Sequence, residues 1–327
     1  MEAFAYAYPS SLTEAVALLA PEWGQTAILA GGTDLISLMK DHADTPSRIV
    51  NIKGVGELHH IQNENGGVRI AALVSFDQLL ESNVPSHFPS IGEAARGISS
   101  PQIRAMGTVG GDLLQRPRCW YYRDGFGLLA LDANGKSLVP GGDNRYHAIF
   151  GNEGPAYFVS PSSLAPPLIA LGAKVTLHGP SGPREITIEE LFVTPKSAGE
   201  REHSIRANEV LTEITIPASS RGWRNSTYEV RQREVLDWPL ATASVALKME
   251  GDKVSAARVV LGQVAPIPWR SRAAEQALEG KSLTESTAAA AGEAAVREAK
   301  PLSDNGYKVQ LTRVAIKRAL LHAKEVA

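Results

Sequence analysis

Two periods of hydrophobic spacing alternate along the first two thirds of the chain. Apolar runs of about four to eight residues bounded by turn residues predict strands, and apolar positions three and four apart predict helices. Ser11-Leu-Thr-Glu14 and Ser75-Phe-Asp-Gln78 have the spacing of capping boxes at helix starts. The predicted strands are 26–30, 48–52, 68–73, 174–178 and 209–216, and the predicted helices are 11–19, 35–40, 75–80, 91–96 and 164–171. Strands and helices are therefore mixed along this part of the chain.

The pattern changes from about Trp223 onward, where three alternating segments predict an antiparallel meander: residues 226–231, 242–249 and 254–262. Three alanine-rich segments with helical spacing follow: residues 271–278, 284–298 and 307–324. Ser282-Leu-Thr-Glu285 has capping-box spacing before the second of them. We therefore expect two domains, residues 1–221 and 222–327, the second a three-stranded antiparallel sheet packed with helices.

Residues 115–155 interrupt the regular pattern. They are rich in Gly, Arg, Asn and aromatic residues and have no clean period. Stretches of this length inside compact domains are usually functional or disordered. We expect an ordered but irregular loop, which we call the excursion.

Composition narrows the class of protein. The chain has 327 residues, enough for two domains, and a net charge of −2 from 33 basic and 35 acidic side chains. This balance argues against binding to nucleic acid or to an anionic membrane. We expect no signal peptide, because residues 1–20 lack a basic start and a long apolar run, and no apolar run of about 18 residues occurs. We expect a cytoplasmic location, with co-export to the periplasm alongside a signal-bearing partner as the alternative.

The most informative stretch is Ile28-Leu-Ala-Gly-Gly-Thr-Asp34, in which a predicted strand reaches two glycines just before a predicted helix. Glycines lack a Cβ and let backbone N–H groups converge on a diphosphate, and a helix start adds a favourable partial charge. The Thr33 hydroxyl can donate to a phosphate oxygen. Taken alone, the segment is more typical of a structural turn, because it lacks the Gly-x-Gly-x-x-Gly spacing of a Rossmann unit.

A second segment repeats this chemistry. Thr108-Val-Gly-Gly-Asp112 again combines a hydroxyl, paired glycines and an acid, and it follows Pro101-Gln-Ile-Arg104. Two such turns can close on one diphosphate and its ribose from both sides. Together the two segments favour a nucleotide cofactor over two unrelated structural turns.

These segments resemble the two FAD-binding segments of xanthine dehydrogenase-type molybdenum hydroxylases. Four stretches carry the resemblance, in order along nearly the whole chain: residues 30–35, 103–112, 211–217 and 228–233. The excursion is similar to an extra loop of the aldehyde oxidoreductase and 4-hydroxybenzoyl-CoA reductase branch. It contains Arg118-Cys-Trp-Tyr-Tyr-Arg-Asp124 and later Gly141-Gly-Asp-Asn-Arg-Tyr-His-Ala-Ile-Phe-Gly151.

The resemblance implies an α+β fold. A two-lobed FAD-binding domain of the PCMH/VAO-like type would precede a C-terminal domain of the CO dehydrogenase flavoprotein type. One set of residues would wrap the FAD diphosphate: Leu29, Ala30, Gly31, Gly32, Thr33, Asp34 and Leu35. A second set would close the other side and hold ribityl or ribose hydroxyls: Thr108, Gly110, Gly111 and Asp112. Three further residues fall where the family lines the flavin or adenosine pocket: Ile98, Asp124 and Leu211.

Two departures from the family pattern change the expectation. Relatives in this branch hold a [4Fe–4S] cluster in the excursion with four cysteines, whereas Cys119 is the single cysteine of this chain. One thiolate cannot retain such a cluster, so we expect the loop without it. A family lysine near the flavin ring aligns with Glu229, and loss of that charge would lower the flavin potential or change the acceptor. A slip of one or two residues in the alignment would instead give this role to Arg231.

Three other groups are weaker candidates for chemistry. Cys119 would act as a nucleophile only with a poised base, and His147 is the one histidine of the excursion. The run Trp120-Tyr121-Tyr122 can stack on a cofactor or anchor the loop or a partner subunit. His59-His60 lacks a carboxylate or thiol at metal-ligand spacing, so we expect no metal site.

The resemblance implies the FAD-binding electron-transfer subunit of a heterotrimeric molybdenum hydroxylase, with no catalytic residue for the substrate in this chain. A [2Fe–2S] small subunit would deliver electrons, and a molybdopterin large subunit would hydroxylate the substrate, with aldehydes as the first choice. The external acceptor stays open among NAD, oxygen, quinone and ferredoxin. Two alternatives also stay open: a stand-alone flavin oxidoreductase, and a nucleotide-binding scaffold without redox activity.

Overall fold

The computed structural model of the chain describes residues 1–98, 100–233 and 237–325. The chain begins with a small parallel sheet and two short helices. In order these are β1 (Ala5–Ala7), α1 (Leu12–Ala17), β2 (Thr26–Leu29), α2 (Leu35–Lys40) and β3 (Arg48–Asn51). The strand order β1–β3–β2 leaves β2 at an edge, and its carboxyl end leads into the first glycine segment.

A second lobe contains a five-stranded antiparallel sheet covered by short helices. Its elements are β4 (Ile61–Glu64), β5 (Gly67–Ala71), α3 (Phe76–Glu81), α4 (Val84–His87), α5 (Pro89–Gly97), α6 (Pro101–Met106), α7 (Val109–Leu114), α8 (Ala165–Ala170), β6 (Lys174–Gly179), β7 (Gly182–Thr187), α9 (Ile188–Leu191) and β8 (Val210–Ile216). The sheet order is β4–β5–β8–β6–β7. Leu79, Ile91 and Leu168 pack from the helices against Ile70 and Ile214 of the sheet. Burial of these side chains holds the lobe together.

The C-terminal part contains a four-stranded antiparallel sheet rather than the three strands predicted. Its elements are β9 (Arg224–Val230), β10 (Ala241–Glu250), β11 (Lys253–Gly262), β12 (Trp269–Arg270), α10 (Arg272–Leu278), α11 (Glu285–Ala295) and α12 (Tyr307–Glu325). The added strand, β12, pairs with Val260 and Leu261, and two residues are too few to give a detectable period. Ala315 and Leu320 of α12 and Ala291 of α11 are buried in one hydrophobic cluster with the strands.

Helix capping confirms two predicted helix starts, at Ser75 and Ser11, and corrects the third. Both bonds of the capping box at Ser75 are present. At Ser11, the hydroxyl accepts from Glu14 N, but the Glu14 carboxylate turns back to the amide of Ser10. The third cap is not Ser282, because its hydroxyl donates to Asp252 at 2.6 Å. Thr284 caps α11 in its place.

The excursion contains only short helical turns, at Tyr122–Phe126 and Val139–Gly141. It packs on the start of α12. The buried Lys308 Nζ donates to the carbonyl oxygens of Tyr146 and His147, at 3.1 and 3.2 Å, and to that of Gln263 at 2.6 Å. Asn305 Nδ2 donates to the His147 carbonyl as well. Side chains of the C-terminal part therefore satisfy backbone groups that the irregular loop leaves unpaired.

Candidate functional site

A cavity of about 450 Å³ lies between the two lobes and the end of β9. Most residues that the sequence assigned to a cofactor site line it. These are Ala30, Gly31, Gly32, Thr33, Asp34, Leu35, Ile98, Thr108, Gly110, Gly111, Asp112 and Leu211. The fold thus brings two glycine segments that are distant in sequence to the wall of one cavity.

The first glycine segment leaves its backbone amides unpaired. In the described ranges, the N–H groups of residues 31–35 donate to no protein acceptor, although all five residues line the cavity. Gly32 has a φ of +79°, which glycine adopts without strain. Lys53 Nζ holds the turn by donating to the Ala30 carbonyl at 2.9 Å. Several neighbouring free amides at a cavity wall are typical of an anion site.

Gly31 is required by the close approach of the two lobes. A Cβ at this position would lie 1.9 Å from the carbonyl oxygen of Met106 and 3.1 Å from the Cα of Gly107. Both are backbone atoms, which cannot rotate away as a side chain can. Any residue with a Cβ must therefore separate the two glycine segments.

The second glycine segment is the start of a helix rather than a turn with free amides. Thr108 caps α7 by accepting from Gly111 N at 3.1 Å, and Asp112 N donates to the Thr108 carbonyl at 2.9 Å. Gly110 N donates to the Ala72 carbonyl at 2.9 Å. The amides of this segment are therefore paired inside the protein, unlike those of the first segment. Gly110 serves packing instead, since a Cβ there would lie 2.8 Å from Ala72 Cβ.

Asp112 ties α7 to the segment that precedes α8. Its carboxylate accepts from the Ser162 hydroxyl, from Leu164 N at 2.9 Å and from Gln115 Nε2 at 2.9 Å. Burial raises the pKa of Asp112, and the hydrogen bond from Ser162 opposes this rise. The hydrogen bonds of Asp112 therefore hold parts of the cavity wall together.

Asp34 connects the first glycine segment to the excursion. Its carboxylate pairs with Arg118 at 2.9 Å and Arg123 at 2.8 Å, and it accepts from Arg116 N at 2.8 Å. Arg118 lines the cavity and stacks over Trp238, with its Cζ 4.6 Å from the ring centroid. The excursion thus brings positive charge to the side of the cavity where the free amides lie.

Two predicted residues lie outside the cavity lining for simple geometric reasons. Leu29 is the last residue of β2, and its Cδ1 would lie 3.1 Å from a Cβ added at Gly32. Asp124 is exposed in the helical turn of the excursion.

Glu229, a third predicted residue outside the lining, is buried in an ion pair with Arg231. Its carboxylate lies next to Gly97, because a Cβ added at Gly97 would lie 2.2 Å from Glu229 Oε2. Arg231 itself lines the cavity and donates to the Asp237 carbonyl at 2.7 Å. Arg231, the residue that the shifted alignment selects, therefore brings a cation to the cavity wall, whereas Glu229 does not line the cavity.

The sequence analysis did not single out four lining residues that lie in loops: Trp23, Arg201, His203 and Trp238. They belong to no glycine motif and follow no period. A tryptophan or arginine in a polar loop is a weak signal, because such residues also anchor loops.

The candidate nucleophile Cys119 lies beside His147, with 3.2 Å between Sγ and Nε2. Burial raises the pKa of the thiol to about 11 and lowers the pKa of the imidazole to about 4. Both groups are therefore neutral near pH 7, and no reactive thiolate forms. Trp120 packs edge-on against Tyr146 and His147, so this part of the aromatic run anchors the loop.

His59 and His60 are engaged in ordinary contacts. His59 Nε2 lies 3.1 Å from the Lys53 carbonyl oxygen, and His60 Nε2 lies 3.3 Å from Glu213 Oε2. Across the described residues, no group of three or more His, Cys, Asp or Glu side chains is arranged to hold a metal ion.

Comparison with known proteins supplies the family. Residues 2–219 match the FAD binding domain in molybdopterin dehydrogenase, and residues 226–323 match the CO dehydrogenase flavoprotein C-terminal domain. The carbon monoxide dehydrogenase medium chain of Hydrogenophaga pseudoflava is 30% identical over 97% of this chain and 96% of its own length. The aldehyde oxidoreductase FAD-binding subunit PaoB of Escherichia coli K12 is 29% identical over 100% of both chains. A solved structure of the Hydrogenophaga carbon monoxide dehydrogenase aligns with a TM-score of 0.78 at 30% identity, covering 100% of this chain and 99% of that chain.

The chain therefore belongs to the FAD-binding medium subunits of the molybdenum hydroxylase family. This confirms the family, the mixed helix-and-sheet fold with its two family domains, and FAD as the cofactor. It also confirms an oxidoreductase subunit. None of the helices in the described ranges has the length and apolar character needed to cross a bilayer.

Proposed function

We propose that this chain is the electron-transfer subunit of a heterotrimeric molybdenum hydroxylase. Electrons would arrive from a [2Fe–2S] small subunit and leave to an external acceptor, while a molybdopterin large subunit hydroxylates the substrate, with aldehydes as our first choice. Bound FAD supplies the redox chemistry, because a flavin exchanges electrons singly or in pairs. The observation that carries the proposal is the single cavity on which both glycine segments converge.

The donors at the first glycine segment support binding of the diphosphate. Residues 31–35 offer free amides, and the buried Nε of Arg118 has no acceptor within the described parts of the chain. Opposite them, residues 108–112 would form a wall for the ribityl chain by shape rather than through their amides. Ile98 and Leu211 would add apolar surface. A cavity with apolar walls and a few convergent polar groups is the usual form of a cofactor site.

Arg231 is proposed to lie beside the flavin ring. Glu229 forms an ion pair with the Arg231 guanidinium. Burial raises the pKa of the Glu229 carboxyl, and the charge of Arg231 lowers it. A cation at the ring stabilises the reduced anionic flavin. The nearby carboxylate would weaken that effect, so the pair as a whole would set the potential.

Four titratable groups of the cavity wall support an electron-transfer role over a stand-alone oxidoreductase. Asp34 is paired with two arginines, and Glu209 accepts two bonds from Arg184, at 2.7 and 2.8 Å. Asp112 is bound by internal donors. Burial lowers the pKa of His203 to about 4, so its imidazole is neutral near pH 7. None of these four groups is poised as a general acid or base for an organic substrate.

Isolation of the native complex tests the proposed function. We expect about one FAD for each copy of this chain, together with a [2Fe–2S] chain and a molybdopterin chain in equal amounts. FAD content, iron, molybdenum and the masses of the subunits are the quantities to measure. A flavin-containing chain isolated without partners would favour the stand-alone oxidoreductase. A complex without flavin would overturn the proposal.

A further inference from the structure

The cavity has an extension that the glycine segments do not explain. Besides the turn, it is lined by Thr26, Ala27 and Ile28 of β2, so it follows that strand back toward its start. A strand rises about 3.3 Å per residue, so Thr26 lies about 10 Å from Leu29 along β2. Trp23 and Arg201 line this far end. A ligand whose phosphates bind at the first glycine segment therefore has room for a further group along β2.

Trp23 and Arg201 form a stack at the far end. The Cζ of Arg201 lies 3.9 Å above the Trp23 ring centroid, although the two residues belong to different loops. Backbone bonds fix the position of the Arg201 loop, since Val193 N donates to the Glu202 carbonyl at 3.0 Å. Trp23 stays 41% exposed despite the stack. The pair therefore presents a planar, positively charged surface that the protein itself does not cover.

The Arg201 guanidinium has no hydrogen-bond or ion-pair partner in the described parts of the chain. The adjacent Glu202 is paired with Arg116 instead. Burial lowers the pKa of Arg201, the charge of Arg116 lowers it further, and the carboxylates of Glu202 and Asp44 oppose this change. A partly buried guanidinium without a partner is unfavourable. A bound group with a π face or an anionic oxygen would relieve this cost.

The chemistry of this end fits adenosine. A guanidinium stacks on purines, and its N–H groups can reach phosphate oxygens. Asp44 also lines the extension, and its charge acts on Arg201. A carboxylate can accept a hydrogen bond from an exocyclic amino group or a ribose hydroxyl. The opposite end, at Ile98, Arg231 and Trp238, is then left for the flavin ring.

We propose that the Trp23–Arg201 stack is the adenosine-recognition site of the cavity, with the purine packed against the stack. This inference rests on the proposed FAD binding. It assigns the far end of the cavity to the nucleotide half of the cofactor and explains why two loops outside the glycine segments meet here.

Binding to the whole 327-residue chain stripped of flavin tests the inference. We expect R201Q and W23L to weaken FAD and ADP binding by roughly ten- to hundredfold, the range typical of a lost base stack. FMN, which lacks the adenosine half, should bind both variants within about twofold of the unsubstituted chain. R201K keeps the charge but loses the planar stack, so it should also weaken ADP binding. R206Q is the matched control, because Arg206 is exposed in the same loop and outside the cavity lining.

The outcomes separate this inference from the proposed function. If the unsubstituted chain binds neither FAD nor FMN, the proposed function itself fails. If it binds FAD but both R201Q and W23L keep FAD affinity within about twofold, only the adenosine assignment fails. Equal weakening of FAD and FMN would also overturn the assignment, because the stack would then act on the flavin half or on the fold. Selective weakening of FAD and ADP supports it.

Discussion

The variant G31A is expected to lose FAD retention almost completely, with affinity lowered at least roughly hundredfold and folding weakened by about 3 kcal/mol. The added Cβ would lie 1.9 Å from the Met106 carbonyl oxygen, well inside any real contact distance. Relief of this overlap requires the two glycine segments to separate. The amides of residues 31–35 would then move away from the opposite wall of the cavity.

Flavin absorbance of the purified chain and its denaturant unfolding curve measure the two effects. The matched control is G56A, because a Cβ at Gly56 meets nothing within 4 Å and the residue has no positive φ. We expect the control to keep its flavin and to unfold as the unsubstituted chain does. A G31A chain with full flavin content would show that the close approach of the lobes is not needed for binding.

The second large effect is expected at Asp34. D34A should destabilise the flavin-free chain by about 3 kcal/mol, because removal of one partner leaves buried charges uncompensated. The side chains of Arg118 and Arg123 are only 27% and 12% exposed, so water cannot replace the carboxylate. Residues 116–123 should detach from the first glycine segment. Faster amide exchange in this stretch would report the loss.

The excursion provides a matched control for this prediction. Asp143 also pairs with an arginine, Arg145, but their side chains are 42% and 56% exposed. D143A should leave the free energy of unfolding nearly unchanged, because an exposed ion pair contributes little to stability. Equal effects of D34A and D143A would mean that Asp34 does not anchor the excursion.

The sequence pattern predicted the regular part of the fold well where elements are long. β10 and β11 contain ten residues each, and both were predicted within one residue of their bounds, although β10 is buried at its first seven positions rather than at alternate ones. β1 and β12 were missed because three and two residues cannot establish a period. α7 was missed because its glycine pair is typical of a turn, whereas the Thr108 cap makes it a helix start.

The site was predictable where chemistry depends on consecutive residues. Gly31 and Gly32 stand out because they lie between a predicted strand and a predicted helix, and the structure leaves their amides free. The second segment contains the same residue types, but its amides donate hydrogen bonds to Ala72 and Thr108. That difference depends on which part of the chain packs beside the segment. The local sequence does not contain this information. Trp23 and Arg201 meet only through the packing of two loops and have no local signal.

Amide hydrogen exchange of the flavin-free chain, measured with and without added FAD, tests the central claim most directly. Bound FAD should slow exchange of the free amides at residues 31–35 by at least roughly tenfold, because they gain phosphate acceptors. The amides of residues 110–112 should change little, since they already donate inside the protein. Unchanged exchange at residues 31–35 in a chain saturated with FAD would contradict the account.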